Sequence, residues 1–145
     1  MIDVSTILRT AYFTRLNGAV TLNSAAVPVY DKVIATATEP YIQIGDFTDV
    51  ENSTKNSYSH EVTQTLVIKT KYLGDTGGKK DSDSIANQIT VLVRTRTPMS
   101  IGTTAHIITT TLDNTNSFEQ QVEGGVLVIR VLRFRHIISE TGLDR

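Results

Sequence analysis

The sequence predicts a single α+β domain, residues 1–145, in which a mostly antiparallel sheet carries two helices packed on one face. Three observations predict this fold class. Two segments place apolar residues at helical spacing, and several others alternate polar and apolar residues as strands do. The helices do not alternate regularly with the strands, as they would in a parallel sheet built from βαβ units. We therefore expect both helices to lie on the same side of the sheet.

The first helix is predicted over residues 4–16, near the start of the chain. Its apolar positions share one helical face and are Val4, Ile7, Leu8, Ala11, Tyr12 and Leu16. Asp3 or Ser5 can cap the start of this helix, and Gly18 suits its C-terminal end. The apolar face is expected to cover one side of the sheet.

Extended segments follow in the first half of the chain. Residues 20–22 and 27–33 are predicted as short strands, the second at a sheet edge because Pro28 lacks an N–H for the ladder. Residues 40–47 alternate in character and are predicted as a strand. Residues 60–73 are predicted as a longer strand with one apolar face and one polar face, which is typical of a half-buried antiparallel strand.

A polar segment, residues 46–59, separates these last two strands and contains few apolar side chains. We expect it to be a loop that buries little within its own subunit. Its carboxylates Asp46, Asp49 and Glu51 are expected to be solvated, because acid–base work by a carboxylate needs burial or a nearby charge to shift its pKa.

The second half of the chain is predicted to contain one helix and three strands. A turn-rich loop at 74–84 leads into a helix over 83–96, which the Thr97-Pro98 pair should end. The remaining elements are predicted as a strand at 106–112, a polar turn at 113–117, a short strand at 118–122, a turn at Gly124-Gly125 and a strand at 126–138.

Composition excludes several classes of function. The net charge is −1, so no global basic field exists to hold nucleic acid. The chain has no cysteine, which excludes disulfides, thiolate metal sites and a thiol nucleophile. No apolar run approaches the roughly 20 residues of a membrane helix. The first residues lack the basic region of a signal peptide, so we expect a soluble protein that is assembled in the cytoplasm and has no membrane partner.

No catalytic site, metal site or cofactor is predicted. His60, His106 and His136 lie at strand ends without the i, i+4 spacing of a helical metal pair, and they are expected to be satisfied surface residues. No serine lies in a GxSxG turn, and no nucleophile–base arrangement is visible. The chain is therefore not expected to be an enzyme.

Three arginines lie in the last strand. Arg130 shares a face with Leu132 and Phe134, whereas Arg133 and Arg135 share the other face. An arginine between apolar neighbours usually extends its head group to water or pairs with a carboxylate. Contact with a partner subunit is an equal alternative, because arginine is enriched at interfaces.

The order of these segments resembles a known family. The PYIQIG strand is followed by a polar loop, the strand HEVTQTLVIKTKY, and the helical segment DSIANQITVLV. This order is similar to that of the tail-completion, or tail-terminator, proteins of long-tailed bacteriophages. The likeness spans about residues 4–138, although the tryptophan usual in the second of these strands is absent here.

The resemblance implies a structural subunit of the virion neck at the head–tail junction. Such proteins form a homomeric ring, commonly a hexamer, which caps the finished tail tube and joins tail to head. The implied partners are other copies of the chain, the tail tube protein and head–tail connector proteins, and DNA could pass in contact with the lumen. In such a ring, the segment 46–59 could project toward the lumen or toward the next ring.

A closed ring needs two complementary surfaces on each subunit. We expect one to include Arg133 and Arg135, and the other to include the acidic residues Asp46, Asp49 and Glu51. The alternatives are another head–tail connector or minor tail protein, and a small ligand-binding α+β domain. A ligand-binding domain would need a concave apolar pocket with convergent polar groups, and the sequence offers no candidate set.

Overall fold

The computed structural model describes residues 1–73 and 78–141, which form two helices and seven strands. The elements, in chain order, are α1 (Ser5–Leu16), β1 (Thr21–Leu22), β2 (Ala25–Ala26), β3 (Val29–Tyr30), β4 (Tyr41–Glu51), β5 (Ser59–Leu73), α2 (Lys80–Val93), β6 (Ala105–Val122) and β7 (Gly125–Glu140). The predicted α+β fold class is confirmed.

The main sheet has five strands in the order β3-β4-β5-β7-β6. Only the short β3–β4 pair is parallel, and the three other pairs are antiparallel. Strands β5 and β7 occupy its centre and pair over their full lengths, from Ser59 with Ser139 to Leu73 with Gly125. The strand after Pro28 lies at the sheet edge, as predicted, but covers only Val29–Tyr30 and not the whole of 27–33.

Both helices pack on one face of the sheet, as the sequence predicts. Tyr12 of α1 contacts the rings of Phe134 and His136 on β7, and Asp83 of α2 forms an ion pair with Arg130 on the same face of β7. The buried positions of the helices are Leu8, Tyr12 and Leu16 in α1, and Ser82, Ile85, Ala86, Ile89 and Val93 in α2. Ile7 and Leu92, also predicted to face the core, are partly buried against it. We call this side of the sheet the helix face, and the opposite side the outer face.

A bulge in β4 changes the face to which its residues point. The register with β5 shifts between Ile44 and Phe47. Ile44 lies opposite the buried Leu66, and Phe47 lies opposite the buried Gln64, so residues of opposite parity face the helices before and after the bulge. Asp49 therefore points to the helix face, opposite the buried Val62.

Half of the predicted loop at 46–59 is strand. Strand β4 continues to Glu51 and β5 begins at Ser59, so only residues 52–58 connect them. Within that connection, Thr54 pairs with Ser57 in a tight turn. The polar residues of β4 are compatible with a strand because the half of β4 after the bulge lies at the sheet edge. There, one face of the strand and its unpaired side contact water.

The predicted turn at 113–117 is also wrong. Residues 105–122 form one strand, which pairs with β7 through Asn114 and Asn116. The cross-strand pairing with β7 outweighs the turn preference of the DNTNS stretch. Two register shifts, after Ile107 and after Leu112, accommodate it without ending the strand.

Helix α2 begins and ends about three residues earlier than the predicted 83–96. Ser82 is fully buried and donates to the carbonyl of Lys79, so it lies inside the first turn and does not precede it. Asp81 and Asp83 also lie in that turn, where carboxylates favour the helix N-terminus. Part of the predicted loop at 74–84, residues 74–77, lies outside the described residues.

The hairpin between β6 and β7 depends on one glycine. A Cβ atom at Gly125 would lie 2.1 Å from the carbonyl oxygen of Tyr72 on the neighbouring β5. No side chain fits this close approach of two backbones, so the glycine fixes the place where β7 begins beside β5.

Candidate subunit interface

Neither of the described helices packs on the outer face of the sheet, which mixes apolar with cationic side chains. The half-buried apolar residues on β5 and β7 are Val67, Leu127, Ile129, Val131 and Ile137. The charged residues on the same strands and face are Lys69, Lys71, Arg133, Arg135 and Glu61. Four cations against one carboxylate make this face positive, although the chain as a whole has a net charge of −1.

The two arginines of this face differ in their partners. Arg135 is exposed and its Nη1 lies 3.2 Å from a carboxylate oxygen of Glu61 on β5. Arg133 is half-buried, and its Nε donates to the Thr65 hydroxyl over 3.4 Å. Within the part of the chain that the structure describes, Arg133 forms no ion pair. It therefore retains most of its capacity to bind an acidic partner.

Arg130 was expected either to pair with a carboxylate or to contact a partner subunit, and it forms an ion pair within its own subunit. Its Nη1 lies 2.7 Å from Asp83 of α2, and its Nε donates to the Thr115 hydroxyl on β6. This residue joins the helix layer to two strands. It is therefore not part of the outer face that Arg133 and Arg135 occupy.

The acidic candidates do not form the solvated loop that was expected. Asp46 lies at the bulge of β4 and is exposed, and Glu51 is exposed at the end of the same strand. Neither forms an ion pair with a described residue. Asp49 differs, because it binds His60 and its side chain is only 24% exposed. All three residues are exposed, as expected, although Asp49 also contacts a buried histidine.

The predicted interface residues thus occupy two separate places. Arg133 and Arg135 lie on β7, and Asp46 and Glu51 lie on β4, with β5 between the two strands. They do not meet within one subunit. This separation is what two different complementary surfaces of one chain require.

A buried cluster around His60 was not foreseen from the sequence. His60 is fully buried on the helix face, with Nδ1 3.0 Å from Asp49 and Nε2 2.9 Å from Glu140. An imidazolium ring donates through both nitrogens, so this geometry is one that can serve both carboxylates. Both carboxylate oxygens of Glu140 also accept from the N–H of Ile2 at 3.1 Å. The cluster therefore ties β4, β5 and β7 to the start of the chain.

The pKa of the Glu140 carboxyl is lower than its ordinary value. Burial on its own would raise this pKa, but the hydrogen bonds from His60 and from the N–H of Ile2 outweigh it, together with the positive charge of the N-terminus. Glu140 therefore remains a carboxylate inside the protein, where it lies within hydrogen-bond distance of His60 and accepts from the N–H of Ile2.

His136 is also buried, and its ring nitrogens contact two hydroxyl groups. Its Nε2 lies 2.5 Å from the Tyr12 hydroxyl, and its Nδ1 lies 2.9 Å from the Thr110 hydroxyl. Burial lowers the pKa of His136 to about 4 and raises the pKa of Tyr12 well above its ordinary value. Tyr12 therefore donates to Nε2 of a neutral imidazole. Of the three histidines, only His106 is exposed, so the prediction of surface histidines is wrong for His60 and His136.

The His60 and His136 clusters were missed because their partners are remote in sequence. His60 meets Glu140, 80 residues away, and His136 meets Tyr12, 124 residues away. The only local signal is the alternation along each strand, because both histidines occupy the same alternate positions as the apolar residues of their strands. Among the described residues, no group of three metal-ligating side chains is arranged to hold an ion.

A shallow groove lies between α1 and the segment after α2. It is lined mostly by apolar residues, which include Ile7, Ala11, Leu92, Met99 and Ile101, with Arg15 at its edge. The Nε of Arg15 already donates to the carbonyl of Leu92. The groove lacks the convergent polar groups of a small-molecule site, so it gives little support to a ligand-binding function.

A search of known proteins finds a shared fold but no family. A chain from the solved virion of a native gene transfer agent (GTA) particle superposes with a TM-score of 0.60 at 15% sequence identity. The superposition covers 94% of this chain and 91% of the other. The chain matches no protein-family model and no curated protein. At this identity, the similarity establishes a common fold over almost the full length of both chains.

Neither described helix is long and apolar enough to cross a membrane.

Proposed function

We propose that this protein is a structural subunit of a phage or phage-like virion, and that it forms the homomeric ring that terminates the tail tube. The observation that carries the proposal is the fold that it shares, over 94% of its length, with a chain of the GTA virion. The order of segments that resembles tail-terminator proteins points to the same class. In this role the protein is not an enzyme.

The surfaces of the subunit support ring formation. Arg133 and Arg135 lie on the positive outer face of the sheet, and Asp46 and Glu51 lie near its β4 edge. Opposite charges at separate places favour a head-to-tail contact between copies, which closes by rotation. Ion pairs at the rim of such an interface set register and association rate more than affinity. Asp49 lies on the same strand and also binds His60.

The ring would occupy the head–tail junction, where it contacts the tail tube protein on one side and head–tail connector proteins on the other. The positive outer face would suit either an acidic protein surface or passing DNA. A second placement, as another connector or a minor tail protein, is consistent with the same fold. The two placements differ in the position of the protein along the particle.

The position of the protein in the particle tests this proposal. Particles in which this protein carries a short C-terminal epitope tag are labelled with an antibody and viewed by electron microscopy. Label at the junction of head and tail supports a terminator or neck role. Label along the tail shaft or at its far tip contradicts a terminator role and favours a minor tail protein, and label on the connector side of a resolved neck favours another connector.

A further inference from the structure

The main sheet has two open edges, one at each end. Strand β6 pairs with β7 on one side, and within the described residues no strand pairs with its other side. At the opposite end, β3 covers only Ile42 and Gln43 of β4, so β4 is open from the bulge to Glu51. Open edges are templates for pairing with another chain.

Strand β6 lacks most of the features that protect an edge. It is 18 residues long and contains no proline, lysine or arginine, and residues 112–121 are all exposed. Natural edges are usually short, or carry lysine, proline or bulges. The two bulges of β6 lie before Asn114, which leaves the stretch 114–122 regular and free to pair.

The directions of the two edges are compatible with head-to-tail pairing. Each of the pairs β4–β5, β5–β7 and β7–β6 is antiparallel, so β6 runs opposite to β4. If two copies stand side by side with their helices on the same side, β6 of one copy lies antiparallel to β4 of the next. The sheet can then continue from subunit to subunit with its antiparallel pattern unbroken.

The side chains at the two edges are also complementary. Val50 on β4 and Phe118 on β6 both point to the outer face, beside Glu61 and Ile129 respectively. They are large apolar side chains that are 61% and 50% exposed in the single subunit. An aromatic residue next to a β-branched residue is a favourable cross-strand pair. Joining the edges would cover both.

We infer that copies of this chain associate edge to edge, with the 114–122 stretch of β6 pairing antiparallel with the 47–51 stretch of β4 from the next copy. This inference rests on the homomeric ring of the proposed function and specifies how that ring is joined. The contact is heterologous, because each subunit uses its β6 edge on one side and its β4 edge on the other. Such contacts repeat from copy to copy until the ring closes.

Engineered cysteines test the pairing directly, because the natural chain has none. Thr48 points to the outer face of β4, and Asn114, Asn116, Phe118 and Gln120 point to the outer face of β6. Thr48→Cys is combined in turn with a cysteine at each of these four positions, which covers the possible registers. Each protein is oxidised with glutathione disulfide and analysed on a denaturing gel without reductant, after circular dichroism has verified its fold.

The inference predicts that one of the four pairs produces a ladder of linked chains up to the ring size, because a disulfide forms only between facing strands. The single-cysteine variants and the control pair Thr48→Cys with Ser100→Cys should remain largely unlinked; Ser100 is exposed and lies outside both edges.

Two results would overturn edge-to-edge pairing while leaving the ring intact. Rings that are visible by electron microscopy without a ladder in any pair would place the contact elsewhere. Linked dimers from a single cysteine on β6 would indicate that two β6 strands pair with each other. Protein that forms neither rings nor links, alone and with tail tubes present, contradicts the proposed ring itself.

Discussion

The hydroxyl of Tyr12 on α1 and Nε2 of His136 on β7 lie 2.5 Å apart, fully buried between the first helix and the sheet. Burial lowers the pKa of His136 to about 4, against 6.5 for an unperturbed histidine. The imidazole is therefore neutral in the folded protein at pH values at which an unfolded chain would already bind a proton.

The first prediction is a loss of stability in mild acid. Because the folded pKa of His136 is lowered, its contribution is complete above about pH 6.5 and is lost as the pH falls toward about 4. The full effect is about 3 kcal/mol in the free energy of unfolding. Urea unfolding at pH 7, 5.5 and 4.5 measures it.

A matched variant separates this effect from that of other groups. The lowered pKa of Glu140 also makes stability fall in acid, since its contribution is lost as the pH falls through the folded value. His136→Gln keeps a group that can accept from Tyr12 but cannot titrate in this range. If the variant loses as much stability as the natural chain between pH 7 and 4.5, His136 does not account for the acid sensitivity.

The second prediction concerns the buried charge cluster. Replacing His60 by Ala leaves Glu140 and Asp49 without their common hydrogen-bond partner, and the side chain of Glu140 is only 1% exposed. Loss of one partner from a buried pair costs about 3–5 kcal/mol in unfolding free energy. His106→Ala is the control, since that histidine is exposed and should change stability by less than about 0.5 kcal/mol. Equal, small losses for both variants would mean that the cluster contributes little.

The third prediction concerns the helix layer. Ile89 of α2 is fully buried, whereas Val91, two residues later on the same helix, is 63% exposed. Ile89→Ala should destabilise the protein by about 2–5 kcal/mol, because it leaves a cavity in the core. Val91→Ala should remain within about 0.5 kcal/mol of the natural chain. A loss below that bound for Ile89→Ala would mean that α2 does not pack as described.

The fourth prediction concerns the arginines of the outer face. Changing Arg133 and Arg135 together to Glu should weaken assembly several-fold without unfolding the subunit, because it reverses the charge beside β6, the edge that meets the acidic strand β4 of the next copy. Light scattering follows assembly, and circular dichroism follows the fold. The control is Lys32→Glu with Arg96→Glu, which makes the same charge change at exposed positions outside the sheet. Assembly that is unchanged in the Arg133 and Arg135 variant would remove these residues from the interface.

The helices and central strands were predictable because their signals are local. The apolar stripe of α1 and the alternation along residues 60–73 follow from the sequence alone, and both are confirmed. The acidic half of β4 and the DNTNS stretch of β6 were not recognised as strand. In both segments, pairing with a neighbouring strand outweighs a local preference for turns. A short stretch of sequence does not reveal such pairing.

The candidate site was predicted less completely than the fold. The sequence placed Arg133 and Arg135 on one face, and the register agrees. It could not show that Asp49 is bound to His60, because that contact depends on the bulge after Ile44, which turns Asp49 toward the helices. The open edges of β4 and β6 could not be predicted either. An open edge is a strand without a neighbour on one side, and the sequence does not show which strands are neighbours.

The mass of the purified protein in solution, measured by light scattering together with negative-stain electron microscopy, tests the homomeric ring most directly. The account predicts closed rings with a mass that is a whole multiple of the 15.9 kDa chain, six copies being the expected number. A protein that remains a 15.9 kDa monomer at every concentration, alone and with tail tubes present, would contradict it.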